Sequence, residues 1–341
     1  MKRIGITTTI PSEFIFASGC VPVDLNNVFV ANLKKAAGFI EQAETDGLPR
    51  TTCGWIKGMY GAAKAGGIDA VIAVSDGDCS HTRSLLEILR ADGMPVIPFA
   101  YPYDRDRELL KKQMEKLADA LSVTFLQAGE WMVRLDVIRK KLAYIDLMTW
   151  RKNKVSGFEN HLLQVCASDM ESDPQNFGEK VDTFINKIER RDEFPQKLRL
   201  AFIGVPPIIG DLYSFIESRG ARVVFNEVQR QFTLPFDTDD IVERYGLYTY
   251  PYDIFGRIDD VRREIERRGV HGVIHYVQSF CHHQMEDIMF RKSIDLPFLT
   301  LEGDAPQLLD TRTKLRVESF CEILSLKTEI SGKSLSTHGC Q

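Results

Sequence analysis

Two stretches of this chain align without a gap at an offset of 202 residues: DAVIAVSDGDCSHTRSLLEILRADGMP at 69–95 and HGVIHYVQSFCHHQMEDIMFRKSIDLP at 271–297. Five of the 27 positions are identical, pairing Val71 with Val273, Ile72 with Ile274, Cys79 with Cys281, His81 with His283 and Pro95 with Pro297. Each stretch reads as a short apolar run, a polar turn, a helical pattern and a closing proline before a second apolar run. A run of that length between turn signals suits a strand buried on both faces. Strand, helix and strand in that order demand a parallel sheet with a crossover helix. Two such units so far apart predict two α/β domains.

The remaining pattern agrees. Residues 3–8 read as a first strand, residues 29–44 as a helix with Val30, Leu33, Ala37 and Ile40 on one face, and residues 55–65 as a second helix. From 105 to 191 the pattern is helical, with charged faces such as RDRELLKKQMEK and EKVDTFINKIERR. Alternation resumes at RLAFIGV and ARVVFNE, and a last helix is expected at 311–326. The expected fold is α/β, with two doubly wound parallel-sheet domains (Rossmann- or flavodoxin-like) joined by a helical middle segment. The boundaries read as 1–125, 126–195 and 196–330, with a loose tail at 331–341.

Composition narrows the function. Lys and Arg number 43 against 48 Asp and Glu, a formal charge of −5 without a polybasic run, which argues against holding a nucleic-acid backbone. No apolar stretch approaches the roughly 18 residues of a membrane span. Met1 leads almost directly into the first strand pattern, so a cytoplasmic chain without a targeting segment is expected.

Seven cysteines are an odd count for a disulfide framework. Cys79 and Cys281 each follow a predicted parallel strand and precede a helix, at the sheet edge where ligands bind. Cys53, in TTCGWIKG, stands before the helix at 55–65, with Gly54 allowing close backbone approach. Helix starts favour thiolate over thiol. Cys20, Cys166 and Cys321 lie in apolar runs and read as packing residues, and Cys340 falls in the tail. Three such thiols suit a zinc site completed by His282 or His283, a [4Fe-4S] cluster with one open iron, or a cysteine nucleophile with a histidine base. Asp76 and Asp78 read as helix caps.

At these residues the chain resembles the 2-hydroxyacyl-CoA dehydratase D-component family, which also holds the benzoyl-CoA reductase cluster subunits and the double-cubane cluster proteins. IPSEFIFASGCVPVDL resembles its opening segment, with Pro11, Glu13, Gly19 and Pro22 in place. Cys53 and Cys79 fall at its first two cluster cysteines, FCHHQMEDIMFRKSIDLPFLTLEGD resembles its third cysteine segment, and DTRTKLRVESFCEIL its closing helix, with Arg312, Arg316 and Glu318. The chain departs from the family in having Ser80 directly after the second cysteine, where Asp is usual, and Asp78 before it.

The resemblance implies one [4Fe-4S] cluster at the domain interface, held by Cys53, Cys79 and Cys281. A double cubane would have to recruit Cys20 or Cys321. It also implies an ATP-dependent activator with its own [4Fe-4S] cluster, a homologous second subunit or a second copy of the chain, and an acyl-CoA substrate. The implied reaction is radical dehydration through a ketyl, with Glu13, His81 and His283 as candidate catalytic residues. The alternatives are a low-potential reductase or electron-transfer protein and a zinc-stabilised binding module.

Overall fold

The structure, a computed structural model, describes residues 1–336 and their side chains through residue 328. It contains two four-stranded sheets in which every pairing is parallel. The first has β1 (Arg3–Ile6), β2 (Val21–Asp24), β3 (Ala70–Asp76) and β4 (Val96–Ala100) in the order β2-β1-β3-β4. The second has β5 (Leu198–Gly204), β6 (Ala221–Asn226), β7 (Gly272–Gln278) and β8 (Phe298–Gly303) in the order β6-β5-β7-β8. The α/β expectation is met, and the two sheets are built on one plan.

The duplication extends to register. Val71 and Ile72 pair with Val96 and Ile97, and residues 202 further along, Val273 and Ile274, pair with Phe298 and Leu299. β7 is buried along its whole length and β3 over Val71 to Val74, because helices cover both sheet faces. In each sheet the chain leaves the central strand in opposite directions, so a crevice opens at the carboxyl ends of β1 and β3 and of β5 and β7.

Local chemistry explains where the sequence pattern and the structure differ. The helix expected at 29–44 is two helices, Leu25–Val30 and Leu33–Thr45. Asn32 divides them, its side chain accepting from the backbone N–H groups of Lys34 and Lys35 as an N-cap. β2 carried no readable pattern, since it has four residues and contains Pro22. It is an edge strand paired only with β1, a position that tolerates proline. The helices Ser12–Ala17 and Ile241–Leu247 were also not legible.

The middle of the chain is helical, as expected, with helices at Arg107–Leu121, Phe125–Trp150, Gly157–Val165 and Pro174–Glu189. The helix Phe125–Trp150 buries Leu135, Ile138, Leu142 and Ile145 and forms buried ion pairs in both directions. Its Arg139 reaches Glu13 beside the first sheet at 2.7 Å, and its Asp146 reaches Arg268 beside the second at 2.6 Å. The last helix runs Thr311–Ser336, ten residues beyond the expected end. Residues 331–336, expected in a loose tail, belong to this helix, and 337–341, with Cys340, lie outside the described residues. No described helix is long and apolar enough to cross a membrane.

Candidate functional site

Cys53, Cys79 and Cys281 line one cavity of about 130 Å³. They come from three separate chain segments, and each occupies the N-cap position of the helix that follows it. The first two belong to the first domain and the third to the second, so the cavity lies in the cleft between the sheets. Thr7 to Thr9 beyond β1 and Val205 to Pro207 beyond β5 also line it, which sets it at the carboxyl edges of both central strands. Gly54 makes the closure possible. A Cβ there would come within 2.5 Å of the backbone oxygen of Asp304, which also accepts from Gln278 Nε2 at 2.7 Å.

All three thiols are desolvated. Burial pushes Cys79 and Cys281 up to about 12, assisted by the charge of Asp78 and by the other thiols. The opposing pull comes from backbone N–H groups, of His81 and Thr82 toward Cys79 and of His283 toward Cys281. Burial likewise raises Cys53 against the N–H groups of Trp55 and Ile56. Thiols so placed are held as thiolates only by strong cationic compensation, which a metal centre supplies. Two donors in the wall, Thr9 Oγ1 and Trp55 Nε1, have no partner among the described residues. Soft donors from dispersed segments, with free hydrogen-bond donors beside them, fit an iron-sulfur group.

The histidines separate. His283 lines the cavity and bridges the domains, its Nε2 3.1 Å from the backbone oxygen of Asp78 and its Nδ1 2.7 Å from Glu286. Arg257, fully buried, holds Glu286 on one side and Glu227 on the other, at 2.7 Å from its Nε. Burial works against the Glu286 carboxylate, but Arg257 and His283 outweigh it and bring it down to about 2. His81, at the matching position of the first domain, does not line the cavity, and its Nδ1 has no partner among the described residues. His282 is exposed and lies against His283 with ring centroids 4.0 Å apart.

Glu13 stands apart from the three cysteines. It is fully buried, accepts from Arg139 and from Tyr245 Oη at 2.8 Å, and does not line the cavity. The capping role expected for Asp76 and Asp78 is absent, since the helix Ser80–Ala91 is capped by Cys79 without a side-chain bond. Asp78 instead lines the cavity, where burial, against His283 and with Asp24, pushes it up to about 7. Asp24, the other carboxyl in the wall, accepts from Ser168 Oγ and from Asn26.

Several wall residues escaped the sequence reading. Thr7 to Thr9 could have been found by the rule that located Cys79, since they follow the carboxyl end of a parallel strand. His161 enters from the helical middle, with Gln229 Nε2 3.2 Å from its Nδ1, and burial drives its basicity down to about 3, so it stays neutral. Nothing local in HLLQVCAS distinguishes it from a core histidine. The rest of the lining is largely apolar, including Ile56, Met59, Leu162 and Phe232.

The family model described as 2-hydroxyglutaryl-CoA dehydratase, D-component, matches residues 7–324. No curated protein matches the chain. The match spans every strand after β1, the helical middle and all three cavity cysteines, and the chain belongs to that family.

Proposed function

We propose that this member of the 2-hydroxyglutaryl-CoA dehydratase D-component family, a dehydratase-type subunit of the lyase class, carries one [4Fe-4S] cluster on Cys53, Cys79 and Cys281. The observation that carries the reading is the convergence of three N-cap cysteines, from two domains, on one cavity. Among the described residues no three His, Cys, Asp or Glu side chains lie close enough to hold a single ion. When bound, such a cluster supplies one low-potential electron and a Lewis-acidic iron, the chemistry by which a 2-hydroxyacyl-CoA loses its hydroxyl through a ketyl radical.

The chain's own residues supply the rest. The apolar wall of Ile56, Met59, Leu162 and Phe232 takes the acyl portion and excludes water. Thr9 and Trp55 offer donors to the polar end of the substrate or to the cluster. Asp78 is the wall carboxyl with room to accept or return a proton. His283 holds the cleft closed and orients the backbone beside Cys79. The electron comes from an ATP-dependent [4Fe-4S] activator, and a homologous subunit or second copy of this chain completes the enzyme.

Anaerobic reconstitution followed by iron and sulfide counts and EPR tests the reading. About four irons per chain are expected from the cluster type, lost in each of Cys53→Ala, Cys79→Ala and Cys281→Ala and retained in Cys20→Ala and Cys321→Ala. Zinc without sulfide, or loss in Cys20→Ala equal to that in Cys79→Ala, overturns it.

A further inference from the structure

Two carboxyls line the cysteine cavity, Asp24 and Asp78, and among the described residues no Lys or Arg does. His161 in the wall stays neutral, and His283 spends both ring nitrogens on Glu286 and the backbone oxygen of Asp78. The cations behind the wall are engaged as well. Arg257, over the Tyr250 ring, pairs with Glu227 and Glu286, while Lys57 bonds Glu44 and the backbone oxygen of Arg50. Among the described residues, no unpaired positive group meets a carboxylate that a ligand would bring in.

Most neutral donors of the wall are also committed. Asn26 Nδ2 donates to Thr7 and Asp24, Asn27 Nδ2 to the backbone oxygen of Val165, and Gln278 Nε2 to that of Asp304. Thr9 Oγ1 and Trp55 Nε1 remain, and the hydroxyl and carbonyl common to every 2-hydroxyacyl thioester can take them. The Asp24 backbone N–H donates to Asp169 Oδ2 at 2.8 Å, so a further carboxyl stands behind the first. Ionised, these carboxyls repel an anion; protonated, they give it no countercharge. Burying a carboxylate without a partner is costly, whereas Val30, Ile56, Met59, Leu162 and Phe232 favour an alkyl or aryl group.

We propose that the cavity selects 2-hydroxyacyl thioesters whose acyl chain is uncharged and rejects those ending in a second carboxylate, an inference that rests on the reading of this cavity as the acyl-CoA site. The dicarboxylic glutaryl chain in the description of the matching family model is one this cavity disfavours. A cationic chain end gains little in exchange, because Asp24 already accepts from Ser168 and Asn26 and the wall around it is largely apolar.

Calorimetric titration of the anaerobically reconstituted full chain tests it, with no electron donor present so that thioesters bind without reacting. The probes are 2-hydroxyhexanoyl-CoA, 2-hydroxyglutaryl-CoA, a 2-hydroxyacyl-CoA ending in trimethylammonium, and coenzyme A as the baseline. The hexanoyl thioester binds more tightly than coenzyme A, and the two charged thioesters bind about tenfold or more weaker than it, the loss expected for one buried charge left unpaired. Leu162→Arg, at a wall position 43% exposed, supplies the missing cation and narrows the gap between the glutaryl and hexanoyl thioesters. Because the ligands are compared on one protein, partial loss of folding in the variant weakens them alike and leaves their ratio readable. Glutaryl or trimethylammonium binding equal to hexanoyl binding, or a ratio unmoved by Leu162→Arg, overturns the inference while the acyl-CoA reading stands. If no thioester binds more tightly than coenzyme A, the acyl-CoA reading falls and the inference with it, and iron and sulfide counts on the same sample report the cluster separately.

Discussion

His283 Nε2 lies 3.1 Å from the backbone oxygen of Asp78, so a side chain two residues past one cavity cysteine donates to the residue preceding another, across the domain cleft. The ring is held from behind by Glu286, which accepts from Arg257, itself anchored by Glu227. His81, its counterpart in the repeat, makes no such bond through Nδ1, so the duplication is broken at the contact that closes the cleft. His283→Ala is therefore expected to cost about 1–3 kcal/mol through the lost bridge, lowering the melting temperature by several degrees, while His81→Ala leaves it nearly unchanged. Thermal denaturation of both variants checks this, and equal effects would refute the asymmetry.

Gly54 is the backbone counterpart of that bridge. A methyl group there meets the Asp304 carbonyl oxygen, which cannot swing aside as a side chain could. Gly54→Ala should force the domains apart locally at a cost of about 1–3 kcal/mol and reduce the iron retained after reconstitution. Normal stability together with full iron content would show that the cleft tolerates the displacement.

The domain plan was legible because β3 and β7 are buried runs, and the 202-residue repeat preserves even their pairing register. The position of the three cysteines before helices was legible because helix starts at strand ends are a local signal. β2 was not, since four residues with a proline have no period to read. Glu13 misled in the opposite way. The resemblance implied a catalytic residue, but its environment is set by Arg139, 126 residues away, and by Tyr245, 232 residues away. Partners so distant leave no trace in the local pattern. His161 escaped for the same reason, being defined by the cavity it faces rather than by its neighbours in sequence.

Glu13→Gln is accordingly expected to act on stability. It leaves Arg139, itself 5% exposed, without its charge partner in the buried interface. Breaking such a pair costs about 3–5 kcal/mol, partly offset here by Asp136, 3.2 Å from Arg139. A large fall in the urea midpoint with iron content preserved in the folded fraction is the expected result. Lost turnover at unchanged stability would instead return Glu13 to the reaction.

The pair Asp146 and Arg268 predicts an acid response. Burial works to raise the Asp146 carboxyl, but the charge and hydrogen bonds of Arg268, with Arg230 and Asn160, hold it below its ordinary value. A carboxyl depressed on folding contributes stability that is present above its unfolded pKa, about 3.9, and is lost as pH falls toward the folded value. Asp146→Asn should therefore destabilise most at neutral pH and progressively less below about pH 4. Urea midpoints measured across that window check the sign, and a deficit independent of pH would exclude the ionic contribution.

Asp78 gives the test nearest the chemistry. Two carboxyls line the cysteine cavity, and Asp24 is engaged by Ser168 and Asn26. No described donor bonds the Asp78 carboxyl, whose surroundings act on it through burial and through the charges of His283 and Asp24. The proposed dehydration of a 2-hydroxyacyl thioester requires a group that takes the β-proton, and the proposal gives that role to Asp78. Replacing it with asparagine keeps the shape and removes the base. Asp78→Asn is expected to retain the full iron complement and the EPR signature while turnover falls by about 10²-fold or more, the usual contribution of a positioned acid or base. Iron lost together with activity would make Asp78 a support for the Cys79 loop, and turnover near the parent rate would assign the proton to a residue outside this chain's cavity.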